Sequence, residues 1–519
     1  MRRSVDSRVS YLAHSLTLLA LSLLALAPLL YPGYLQVHSG FLPVFNLADL
    51  AAAGDKLRWL PAVGTAPDLL RGEGPLAWWL ALPLRPFGGD LAAIKLIFAG
   101  SVLLGAAALL GNGVKGLLRA TLFLFWPPLL MTLTVRGALA ETLFTGLFTL
   151  AFGIANYELR ITHDRQRAAA STLWTVYAVL ATVYFLLFWT QSGLALWATA
   201  LLLVWTLAQR QARAAIAIAL GALLGSGSYW ALHRSLPSPT LDVASHAVYP
   251  FQLLSPAWGF GVSVSGWQDT LPLQLGFAAL SLAALALILH PPRASGSSSL
   301  LFTAYCLLFT ILLTVIRPLW QLGPLAATLT YPWQLYALLG PLLIWLAGEA
   351  LSAIPALTTR PALAALIALV VLASYSYLAP RFTQVQPDPA RPQIFQPARV
   401  TLLERAVQGP IGEIGATQAL TVTLAWQPLQ PVNFDYNVFI HATDAAGNRV
   451  AQWDGQPMAA GASAPMTQWA AGEVVTSDYR LDMPAGSPPA RLLIGLYNWQ
   501  TGERLTVNGN DATIVEMQP

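Results

Sequence analysis

About eleven stretches of roughly twenty apolar residues dominate this sequence, each long enough to cross the hydrocarbon of a bilayer as a helix. They run roughly 10–31, 90–110, 114–134, 137–157, 168–188, 192–209, 212–232, 271–290, 298–316, 331–351 and 361–379. Composition excludes a water-soluble alternative. The 519 residues are 56% hydrophobic and 10% charged, against about 25% charged in soluble domains, and the mean hydropathy is +0.57. The net charge of +4 and the absence of a basic, aromatic-interleaved stripe argue against a nucleic-acid partner. The single cysteine, Cys306, forbids an intrachain disulfide and any multi-cysteine metal site. The chain is therefore expected to be a polytopic α-helical membrane protein.

The first run follows Arg2 and Arg3 but is long for a signal peptide, and Pro28 follows its small-x-small site, so it reads as a retained anchor. Trp126-Pro127-Pro128 interrupts the third run and predicts a broken or re-entrant segment there. Basic residues set the orientation. One set of segments holds Arg2, Arg3, Arg8, Lys115, Arg160, Arg165, Arg167, Arg210, Arg213, Arg293 and Arg360, while the opposite short loops hold Arg136, Arg234 and Arg317. This predicts a multi-pass protein with a cytoplasmic N-terminus, an outer first loop over 32–89, and an outer C-terminal region.

The pattern changes near residue 380. Five prolines between 380 and 397 make a semi-rigid linker, placed at 381–398. Beyond it, apolar and polar residues alternate, as in Leu420-Thr421-Val422-Thr423-Leu424-Ala425-Trp426, with turn signals such as Asp444-Ala445-Ala446-Gly447-Asn448. Residues 399–519 are thus expected to form an extracytoplasmic all-β sandwich domain after a membrane domain over 1–380.

Ionisable groups near spans are costly and become functional candidates. They gather on the predicted outer side: His38, Asp49 and Glu73 in the first loop, Arg136 and Glu141 at the fourth run, and Arg317 in a later loop with Trp258 and Trp333 nearby in sequence or on the same side. Arg136 and Glu141 are five apart, a spacing that does not share a helix face neatly. They form either a structural ion pair with a snorkelling arginine or a site for an anionic lipid head group, since the arginine fork suits phosphate. In the β region Trp453, Trp469 and Trp499 either pack a core or stack on sugar rings. No P-loop or His-Glu-x-x-His is present, and Gly261-Val262-Ser263-Val264-Ser265 lacks the last glycine of a nucleophile elbow. No metal and no cofactor is expected.

The order of landmarks resembles the GT-C glycosyltransferases of the protein-mannosyltransferase-like branch. Gly54-Asp55-Lys56-Leu57-Arg58-Trp59-Leu60-Pro61, Glu73-Gly74-Pro75-Leu76-Ala77-Trp78-Trp79 and Arg136-Gly137-Ala138-Leu139-Ala140-Glu141 carry the resemblance. Closer still is a bacterial branch labelled "6-pyruvoyl-tetrahydropterin synthase-related", on His38-Ser39-Gly40, Ser255-Pro256-Ala257-Trp258-Gly259-Phe260-Gly261 and Tyr331-Pro332-Trp333-Gln334. The β region resembles a domain often fused to such proteins. The resemblance implies a GT-C-like fold in a bacterial cytoplasmic membrane and a polyprenyl-phosphate sugar as donor at the outer face. It also implies membrane lipid and a glycan acceptor as partners, with envelope glycan or glycoprotein modification as the outcome. It assigns Glu73, with Asp49 as the weaker alternative, to the catalytic carboxylate, and His38, Arg136, Glu141, Arg317, Trp258 and Trp333 to substrate binding. Trp453, Trp469 and Trp499 would hold glycan. Two departures stand out. Ser39 occupies the place of the family's first-loop acid, and Gln334 that of an arginine. Serine is no general base unaided, so a non-catalytic binder of lipid-linked glycan, or an envelope scaffold, is the alternative. A transporter is a weaker one, since no inverted repeat is visible.

Overall fold

The computed structural model describes residues 2–35, 37–39, 42–61, 72–110, 113–163, 170–233, 243–261, 263, 266–289, 297–314, 320–380, 393–408, 413–414, 417–429, 432–459, 462–469, 474–484, 489–507 and 509–517. Arg317 and most of the predicted linker, 381–392, lie outside the described residues. The chain divides into two compact units. The first holds Met1–Val37, Ala53–Pro61 and Pro67–Arg381, and the second His38–Ala52, Ala62–Ala66 and Phe382–Pro519.

The first unit is helical. Each of the eleven apolar runs contains helix, but length and apolarity separate them. Seven described helices, or eight with a bent pair taken as one, are long and apolar enough to cross a membrane. The run at 271–290 yields only Phe277–Leu289, 13 residues, or about 20 Å at 1.5 Å per residue. Pro272 and Gly276, the latter at φ +90°, keep the preceding residues out of the helix. Ser192–Ala208 is likewise short, at 17 residues. At Trp126-Pro127-Pro128 the helix Val114–Leu124 ends and the chain turns by 42° into Pro127–Arg136. The two prolines cannot donate the hydrogen bonds an unbroken helix needs there. The Trp126 indole N–H instead donates to the Leu275 carbonyl at 2.9 Å.

The second unit is mostly strand. We number its strands β1 (Ile394–Gln396), β2 (Val400–Gln408), β3 (Glu413–Ile414), β4 (Thr417–Pro428), β5 (Asn437–Thr443), β6 (Arg449–Gly455), β7 (Met458–Ala459), β8 (Ala462–Ser463), β9 (Val475–Pro484), β10 (Arg491–Tyr497), β11 (Thr506–Val507) and β12 (Thr513–Glu516). One sheet runs β11-β1-β2-β4-β3 with β9 also paired to β4, a second runs β12-β10-β5-β6, and β7 pairs β8. All named pairings are antiparallel. The alternation seen in sequence is the burial pattern. Along β9 every second residue from Val475 to Met483 is buried, and Leu420, Val422, Leu424 and Trp426 of β4 join Val438, Ile440, Leu492 and Ile494 in one apolar core. Successive side chains of a strand point to opposite faces, so period two places one set inside. The same unit takes in the helix Leu42–Ala52, buried along Leu42, Val44, Phe45, Leu47 and Leu50, and the Gln427 amide donates to the Ser39 carbonyl.

Candidate functional site

Four of the residues singled out in the sequence come together in the helical unit. Glu73 precedes a short helix, Leu76–Ala81. Its neighbour Gly74 donates to the Thr190 carbonyl at 2.8 Å. A Cβ at Gly74 would stand 2.2 Å from the Trp189 carbonyl oxygen, so only glycine lets this backbone lie against the end of Ala170–Thr190. The glycine after Glu73 therefore fixes where the carboxylate sits. The Trp79 ring meets Trp189 at 5.0 Å and tightens the same seam.

Arg136 ends a π-helical turn, Met131–Arg136, which Gly137 closes in the left-handed conformation (φ 66°, ψ 30°). The Ala138 N–H then donates back to the Thr132 carbonyl at 3.1 Å. A new helix starts at Leu139, with Glu141 in its first turn, where the helix dipole favours a carboxylate. The five-residue spacing that looked awkward on one helix is spanned by this reversal. Arg136 Nη1 reaches Glu141 Oε1 at 2.7 Å, with the two side chains 15% and 5% exposed. The two side chains thus form an ion pair in a place that shields it from solvent.

The segment Tyr331-Pro332-Trp333-Gln334 completes the cluster. The Arg136 guanidinium lies 4.2 Å from the Trp333 ring centroid, a cation–π contact. The Gln334 amide nitrogen donates to Glu141 Oε2 at 3.4 Å, and its oxygen accepts the Thr330 and Tyr331 N–H groups at 2.9 and 3.1 Å. Gln334 is therefore wired into the site as a neutral partner. Among the described residues Arg136 remains the one cation paired with Glu141. Glu73 lies within electrostatic reach of both. Burial pushes its carboxyl up to about 7, the Glu141 charge adds to the rise, and Arg136 opposes it. A carboxyl poised there exchanges a proton readily near neutral pH.

The other described candidates make contacts of their own. Trp258 stacks on Tyr377 at 4.1 Å. Tyr377 also lines a cavity of about 250 Å³ with Trp126, Leu253, Gln274, Phe277 and Ser374. His38, Ser39 and Asp49 belong to the β-containing unit, where Asp49 is exposed on the helix Leu42–Ala52. Within that unit Trp453 packs against Tyr479 at 4.5 Å, and Trp469 is buried with its indole N–H donated to the Ala464 carbonyl at 3.1 Å. Trp499 remains 53% exposed. Among the described residues no group of three or more His, Cys, Asp or Glu side chains is placed to hold a metal. Sequence reading did not foresee the part of Gln334, or that Ser263, set aside as a failed nucleophile motif, contacts Trp333 at 3.3 Å.

Two solved structures are similar to this chain. One is ArnT from Cupriavidus metallidurans bound to undecaprenyl phosphate, at 12% identity and a TM-score of 0.43, over 66% of this chain and 60% of that one. The other is the same protein in the apo state, at 15% identity and a TM-score of 0.42, over 65% and 59%. The match thus spans about three-fifths of those chains. No protein-family model and no curated protein matches the sequence.

Proposed function

We propose that this chain is a GT-C-like membrane glycosyltransferase that takes a polyprenyl-phosphate sugar at the outer face of a bacterial cytoplasmic membrane. The observation that carries the reading is the shielded Arg136–Glu141 pair with its guanidinium over the Trp333 ring, and Glu73 within the electrostatic field of that pair. Arg136 would hold the donor phosphate with its planar fork. Glu73, when ionised, would take the proton of an acceptor hydroxyl. That oxygen bonds to the anomeric carbon as the carbon–oxygen bond to phosphate breaks, and the electron pair leaves on the polyprenyl phosphate. Positioning, electrostatics and one base suffice. The β region, read as an extracytoplasmic sandwich, would hold the glycan acceptor, with the exposed Trp499 as the stacking surface. Trp453 and Trp469 fit the packing reading better. His38 and Asp49 stand as weaker candidates for the acceptor side.

Ser39 favours a second reading, a non-catalytic protein that binds lipid-linked glycan on the same fold, because it offers no carboxylate where the resemblance expects one.

The test is turnover of radiolabelled polyprenyl-phosphate sugars by the purified full-length chain in lipid nanodiscs. Sugar release is expected from wild type and to fall by about 10²–10⁴-fold in Glu73→Gln. Because the base works ionised, the wild-type rate should rise with pH through about 7 and level off above it. Donor binding lost in Arg136→Ala, without release by any variant, would support the second reading instead.

A further inference from the structure

Ser263 has one hydroxyl hydrogen and two lone pairs to place, and three partners surround its oxygen. The hydrogen goes to Asp269 Oδ2 at 2.7 Å, since an ionised carboxylate only accepts. The Trp333 indole N–H donates to Oγ at 3.3 Å. His246 Nδ1 lies 3.0 Å from the same oxygen. With the hydroxyl hydrogen committed to Asp269, that ring nitrogen must carry a proton and donate it. Asp269 is itself held, its Oδ1 accepting the Leu271 N–H at 2.9 Å. Beyond the indole, Tyr331 stacks on Trp333 at 4.7 Å and meets the His246 ring edge-to-face at 5.0 Å. The far side of this strut is the guanidinium of Arg136 over the Trp333 ring.

We infer that Ser263, fastened by Asp269, is a positioning residue of the site. It fixes the plane of the Trp333 ring, and with it the place where Arg136 stands, and it keeps a proton on His246 Nδ1. An indole without this anchor can rotate and carry the cation–π seat with it, and a displaced guanidinium meets phosphate less well. The inference rests on the reading of Arg136 as the phosphate-holding residue. Loop cohesion alone would make Ser263 matter for stability and not for ligand.

The experiment titrates undecaprenyl phosphate into the full-length protein in nanodiscs. Ser263→Ala and Asp269→Asn should each bind about five- to tenfold more weakly, the loss of one or two hydrogen bonds, and Ser263→Thr should stay near wild type. In ¹⁵N-histidine spectra, the signal removed by His246→Gln should report the Nδ1–H form in wild type and move in Ser263→Ala. In ¹⁵N-tryptophan spectra, the indole signal removed by Trp333→Phe should likewise move in Ser263→Ala. Binding that survives in Ser263→Ala but is lost in Arg136→Ala overturns the inference and leaves the reading of the site standing. Binding that Arg136→Ala does not weaken overturns that reading. The spectra then decide the strut by themselves, and an Nε2–H form of His246 or an unmoved indole signal overturns it.

Discussion

The two units treat charge in opposite ways. In the helical unit Arg119, Glu141 and Asp90 are buried, and each is paired: Arg119 with Glu349 at 2.6 Å, Glu141 with Arg136 at 2.7 Å, and Asp90 with Arg85. In the β-containing unit no Asp, Glu, Lys or Arg is buried among the residues whose side chains are described. Its arginine–carboxylate pairs sit in solvent, with Arg491 and Glu516 57% and 68% exposed and Arg480 and Asp482 66% and 64% exposed, while His441 and Asp454 form a more shielded contact at 3.5 Å. The strand core is built by apolar packing, whereas Arg119, Glu141 and Asp90 among the helices are held in hydrogen-bonded ion pairs. Desolvation makes an unpaired buried ion costly, so a shielded charge is kept where geometry supplies a partner.

That contrast can be sharpened by experiment. The largest effect should come from the strand core: Trp469→Ala is expected to lower stability by about 3–5 kcal/mol in chemical unfolding. The exposed Trp499→Ala should change it by no more than about 0.5 kcal/mol. Equal effects would show that burial does not separate these two tryptophans. Next comes Glu349→Met, which leaves Arg119 shielded beside Lys115. The expected loss is about 2 kcal/mol, below the usual range for a broken buried pair because Glu349 keeps 38% exposure. Adding Arg119→Met should recover part of it, and a double variant as weak as the single would argue against the desolvation account. The pH response of the site has a definite sign. Glu73 is raised from 4.5 to about 7 by burial, so the folded state holds its proton more tightly than the unfolded chain does. Its contribution to stability should be fully present below pH 4.5 and decline as pH rises towards 7. Thermal midpoints of wild type minus Glu73→Gln across that window check it. Smallest is Glu516→Ala, whose solvent-exposed pair with Arg491 should be worth at most about 0.5 kcal/mol.

Much of this organisation is legible in the residues. Apolar runs announce the helices, and Trp126-Pro127-Pro128 announces the 42° bend. The alternation from Leu420 to Trp426 announces a strand with one buried face. Span length was less legible, since Gly276 at positive φ shortens a run that composition extends to 271. The site was half legible. Arg136, Glu141 and Trp333 stand out as polar or aromatic groups at the ends of apolar runs, and Glu73 as a carboxylate of the first loop. Their spacing misleads, because the left-handed Gly137 puts Arg136 and Glu141 on two elements facing each other.

The sequence by itself determined which segments must leave water and which residues would be expensive there, because hydrophobicity and periodicity are properties of neighbours along the chain. Only the tertiary structure decided that Gln334 reaches Glu141 across 193 positions, that Glu73 comes within the electrostatic field of Arg136 and Glu141, and that Ser263 reaches Trp333 across 70 positions. Contacts of that range are fixed by how helices pack and where glycines let backbones touch. No local pattern encodes them, since the partners share only space.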